Sequence, residues 1–110
     1  MQKWKNYSFE SSSKTPEFIA FSKDFKKAVK KAIKPCGASL ISYSIGHFYV
    51  SGFVKRGEKF VYFAINNVRG GNSLDSILVR TAKDGRDYAG GSNNFCRLEE
   101  IGERINKLLS

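Results

Sequence analysis

Between Pro16 and Lys34 the chain repeats apolar residues at helical spacing, and that pattern limits its possible folds more than any other feature. On a helix turning 100° per residue, Phe18, Phe21, Phe25, Ala28, Val29, Ala32 and Ile33 fall within an arc of about 140°. A stripe that wide must be buried against another element. Lys23, Lys26, Lys27, Lys30, Lys31 and Lys34 occupy the opposite side, also within about 140°, with Asp24 the nearest acid. Thr15-Pro16-Glu17 supplies a start: a capping hydroxyl, a proline tolerated at the first helical position, and an acid favoured by the dipole. Pro35 and Gly37 supply a stop.

After this helix the period changes. Leu40 to Ile45, Phe48 to Lys55, Lys59 to Asn66 and Ile77 to Ala82 are rich in Val, Ile, Phe and Tyr and read as strands. Gly46-His47 and Arg56-Gly57-Glu58 are short connections, so the first three strands form an antiparallel meander. Residues 67–76, with Gly70-Gly71-Asn72, form a longer loop before the fourth. Near the beginning, Trp4 to Phe9 alternates as a short strand, followed by the loop Ser11-Ser12-Ser13-Lys14. Lys83 to Cys96 contains Gly85, Gly90, Gly91, Asn93 and Asn94 without a period and reads as a long loop. Leu98, Ile101, Ile105, Leu108 and Leu109 mark a second amphipathic helix from about Arg97 to Leu109. The expected class is α+β, in the order β-α-β-β-β-β-α: an antiparallel sheet of four to five strands with two helices packed on one face.

A chain of 110 residues holds one domain and one core. Hydrophobic residues at 41% are enough to fill that core, which excludes the disordered class despite the charge. No apolar run reaches membrane-spanning length, and Met1 to Glu10 has no apolar signal-peptide core, so a cytoplasmic protein without membrane contact is expected. Cys36 and Cys96 lie far apart with no second ligand pair, and His47 is the one histidine, so reduced packing thiols and no metal or cofactor are expected. His47 has no catalytic partner in sequence. Asp75, Asp84, Asp87 and Glu99 match no metal-dependent nuclease motif, so the chain is expected not to be an enzyme.

The formal charge of +9 points to a polyanionic partner. Like charges four residues apart on a helix repel, so the lysine face is the leading candidate surface for nucleic acid or an acidic partner. Lys55, Arg56 and Lys59 form a second basic group at a hairpin tip. Arg69, Arg80, Lys83, Arg86 and Arg97 form a third around the glycine-rich loop. Tyr43, His47, Tyr49, Phe53, Tyr62 and Tyr88 lie between them, either packed on the sheet or open to stack on bases. Residues 87–94 could cradle an anion on converging amides, or could simply turn, with Asn93 or Asn94 in a special backbone conformation.

Lys59-Phe60-Val61-Tyr62-Phe63 leading to Asn67-Val68-Arg69, then Ile77-Leu78-Val79-Arg80-Thr81-Ala82-Lys83, and Asp87-Tyr88-Ala89-Gly90-Gly91-Ser92-Asn93, together resemble small proteins carried by phages and conjugative elements of Gram-positive bacteria. Where that family tends to place a capping Ser or Thr before the last helix, this chain has Arg97. The resemblance implies a mobile-element setting and no established activity. Counter-defence is one role such a setting implies. Anti-CRISPR proteins are of this size, usually lack catalytic motifs, and often occupy nucleic-acid channels or guide RNA. A charge of +9 argues against mimicry of DNA and for engaging RNA, DNA or an acidic protein surface. The expected function is therefore a non-enzymatic accessory protein that binds nucleic acid or a ribonucleoprotein, an anti-CRISPR inhibitor of a Cas effector being one form of it. The alternative is a protein-interaction module that docks on a host or phage enzyme through its sheet edge or glycine loop.

Overall fold

A computed structural model describes residues 16–46, 49–65, 73–87 and 91–110. It contains helix α1 (Pro16–Ile33), strands β1 (Ser39–Gly46), β2 (Tyr49–Arg56), β3 (Lys59–Ile65), β4 (Ile77–Ala82) and β5 (Asn94–Cys96), and helix α2 (Ile101–Leu109). All neighbouring strands are antiparallel in a five-stranded sheet ordered β1-β2-β3-β4-β5. The class is α+β, as expected. The strand expected at Trp4 to Phe9 lies outside the described residues, as do His47, Arg69, Tyr88 and the Gly70-Gly71-Asn72 turn.

Two boundaries differ from expectation. The stretch Lys83 to Cys96 is not loop throughout, because Asn94–Cys96 forms β5 against Ile77–Val79 of β4. The last helix does not begin at Arg97: a 3₁₀ turn, Leu98–Glu100, precedes α2. No hydroxyl caps that turn. Instead the Arg97 amide donates to Glu100 Oε1 at 3.0 Å, and the Glu100 amide donates to the Arg97 carbonyl at 2.9 Å. The amide of Arg97, together with the Arg97 and Arg104 guanidinium groups, holds the Glu100 carboxyl below its ordinary range.

The main core lies between both helices and one face of the sheet. α1 contributes Phe18, Phe21, Phe25, Val29 and Ile33, and α2 contributes Ile101, Ile105 and Leu109. Val54, Val61, Phe63 and Val79 point up to meet them from alternate strand positions. Ala28 and Ala32 are only half-buried at the margin of the stripe, and Ser22 is fully buried with its hydroxyl donating to the Ile19 carbonyl at 2.9 Å. Phenyl rings run through this core: Phe21 stacks on Phe25 at 6.0 Å, and Phe25 meets Phe63 edge-on at 6.0 Å. On the opposite face of the sheet Phe53, Tyr62, Ala64 and Leu78 form a second buried cluster.

α1 ends as its sequence requires. Pro35 lies in a 3₁₀ turn, and Gly37, at φ 71°, closes it by donating its amide to the Lys34 carbonyl at 3.1 Å. α2 then packs closely on α1, and a methyl group added at Gly102 would lie 2.7 Å from the Ala32 carbonyl oxygen. Backbone cannot yield as a side-chain tip can. Gly102→Ala is therefore expected to destabilise the fold by about 1–2 kcal/mol, overpacking outweighing alanine's better helix propensity. The check is a urea midpoint that falls at unchanged slope.

Candidate nucleic-acid interface

Five lysines of α1, with Lys34 in the 3₁₀ turn that follows it and not in the helix as expected, fall into two rows at i, i+4 spacing, Lys23-Lys27-Lys31 and Lys26-Lys30-Lys34. All six side chains are exposed. The opposite side of the same helix is sealed, with Phe18, Phe21, Phe25 and Val29 at 0% exposure. Among the described residues no carboxylate lies within ion-pair distance of any of the six. The Lys26 ammonium sits over the Tyr43 ring, 5.6 Å from its centroid.

Tyr43 locks this helix to the sheet. Its hydroxyl donates to the Ser22 carbonyl at 2.9 Å, and burial pushes the phenol well above its ordinary range, so it stays a neutral donor. The face is therefore carried on a rigid support, although each ammonium sits on its own flexible stem.

The second basic group adjoins one end of this face, but not all of it is free. Arg56 Nη1 donates to the Cys36 carbonyl at 3.0 Å and to Asn106 Oδ1 at 2.7 Å, clamping the β2–β3 tip to the end of α1 and to α2. Arg56 is thus a structural brace. Lys55 lies over the Phe60 ring at 5.4 Å on the other side of the sheet, and Lys59 is exposed at the tip. Lys107, which follows Asn106, is exposed at this same end. Sequence alone gave no sign of it, because the contact that places it crosses 50 residues.

Arg80 of the third group does not join the lysine face. Arg80 lies on the opposite face of the sheet and is only 8% exposed; its guanidinium covers the Tyr62 ring at 4.6 Å, and Nη1 donates to Asn93 Oδ1 at 3.2 Å. Lys83 and Arg86 are exposed in the turn after β4, where Asp87 Oδ2 accepts from the Lys83 amide and Asp84 Oδ1 from the Arg86 amide. These two carboxylates organise the turn. Among the described residues of the glycine-rich loop Gly91, at φ 73°, takes a left-handed conformation against the Thr81 carbonyl, and Asn94 is in β5.

The described aromatic side chains are mostly committed to packing. Phe53 and Tyr62 are buried against each other at 5.1 Å, Tyr43 is half-buried, and Tyr49 and Phe95 are exposed at 38% and 57%. Both cysteines are free thiols; burial pushes the Cys96 thiol up, and Cys36 Sγ lies 3.7 Å from the Gly102 carbonyl oxygen. Among the described residues no three His, Cys, Asp or Glu side chains gather as metal ligands, and no helix is long and apolar enough to cross a membrane.

Protein-family models, curated proteins and solved structures contain no match to this chain. Its reading therefore rests on its own residues.

Proposed function

We propose that this protein is a non-enzymatic module that binds nucleic acid, alone or within a ribonucleoprotein, through the lysine face of α1. One observation carries the reading: six exposed ammonium groups on one side of α1 and of the turn that ends it, none within ion-pair distance of a carboxylate among the described residues. Four i, i+4 pairs of like charge cost the helix stability, and phosphates outside the chain would relieve them. In the mobile-element setting its sequence implies, the same face would occupy the nucleic acid of a defence effector, which is how an anti-CRISPR inhibitor of basic character would act. Gel-shift titrations with duplex DNA and structured RNA test this. With about six phosphates neutralised, affinity falls roughly a thousandfold between 50 and 200 mM salt. Absent or salt-insensitive binding overturns it.

The alternative, docking on a protein, is favoured by β1. Among the described residues this strand is at the sheet edge, Ser39 to Gly46 carries no charged residue, and Ile41 and Ile45 are 45% and 52% exposed. A partner retained after nuclease digestion and lost on Ile45→Lys would support that reading over the first.

A further inference from the structure

Resting on the nucleic-acid reading, we infer that the lysine face grips the two phosphate strands of a duplex and reads no bases. Along the helix axis the six lysines span about 16 Å, and a duplex offers one negative charge per about 1.7 Å of its axis. The face is therefore densely charged, and its two rows, set about 60° apart around α1, give each strand flanking a groove its own three ammonium groups.

Among the described residues the face has no free ring beside it, which favours duplex over single strand. Binding of single strands relies on aromatic rings beside the basic track. Here Phe18, Phe21 and Phe25 are at 0% exposure, and the Tyr43 ring lies beneath Lys26 with its hydroxyl bonded to Ser22. The exposed Phe95 belongs to β5, at the far edge of the sheet from β1. Lysine can reach guanine O6 and N7, but the other side chains that read base edges, Arg on guanine and Asn or Gln on adenine, are absent from α1. Arg56 and Arg80 are spent on Asn106, Cys36 and Asn93. An anionic membrane surface fits less well, because the apolar stripe of α1 is sealed in the core and leaves Ile19, 43% exposed, as the one large apolar side chain on the helix free to insert.

The experiment uses the full chain at 50 mM salt and measures fluorescence anisotropy with two 20-base-pair DNA duplexes of unrelated sequence, one duplex RNA, and one strand of the first duplex alone. The two DNA duplexes are expected to bind within about threefold of each other, and the single strand at least tenfold more weakly. Equal affinity for duplex RNA assigns the phosphate rails common to both helices, and a tenfold preference for either assigns that helix form; both outcomes support the inference. A single strand bound as tightly as the duplex, or a tenfold difference between the two DNA sequences, overturns it while leaving the nucleic-acid reading in place. Binding to none of the four overturns both.

Discussion

The double reversal Lys27→Glu with Lys30→Glu is expected to cut affinity for a duplex oligonucleotide by about a thousandfold and at the same time to raise the melting temperature. Two phosphate attractions are lost and two repulsions appear; at roughly 1 kcal/mol per charge pair near water's dielectric, the change is about 4 kcal/mol. Stability moves the other way. Lys27 stands four residues from Lys23 and from Lys31, and Lys30 four from Lys26 and from Lys34. Reversal converts four repelling pairs into attracting ones, together worth about 1–2 kcal/mol at low salt. Calorimetry beside a binding titration reads both signs. A face kept basic only for solubility would give the stability gain without the binding loss, and unchanged affinity would reject this surface.

Phe25→Ala is expected to be the most damaging single change in the described core. The ring is at 0% exposure, stacked on Phe21 and edge-on to Phe63, so its loss opens a cavity where helix and sheet meet. Truncating a buried phenylalanine costs about 3–5 kcal/mol, a large share of the 5–15 kcal/mol that holds a domain together. The melting temperature should fall by about 15 °C or more. A loss below about 1 kcal/mol would show that α1 is not held by this contact. Binding would decline along with the folded fraction, whereas the Lys27 and Lys30 reversal separates binding from folding.

Properties that repeat along a single element were legible in sequence. The stripe and the two lysine rows of α1 depend only on spacing within one helix, and Pro35 with Gly37 ends it by local stereochemistry. β5 was not legible, because Asn94-Phe95-Cys96 is too short to show a period and exists only by pairing with β4. The start of α2 was missed because the group that answers the Arg97 amide is the Glu100 side chain, three residues inside the turn. Arg56 and Arg80 looked like surface charges. Their partners, Asn106 for one and Tyr62 with Asn93 for the other, come from separate elements and meet them only after the sheet is assembled.

Among the described residues β1 forms an uncharged rim of the sheet. Backbone groups along an edge strand invite a second copy, and proteins commonly blunt such an edge with lysine or proline inside the strand. Ser39 to Gly46 has neither. Mutual repulsion between molecules of charge +9 opposes that pairing. On the proposed reading, a polyanion that saturates the ammonium groups also removes this repulsion and leaves neighbouring molecules freer to associate rim to rim.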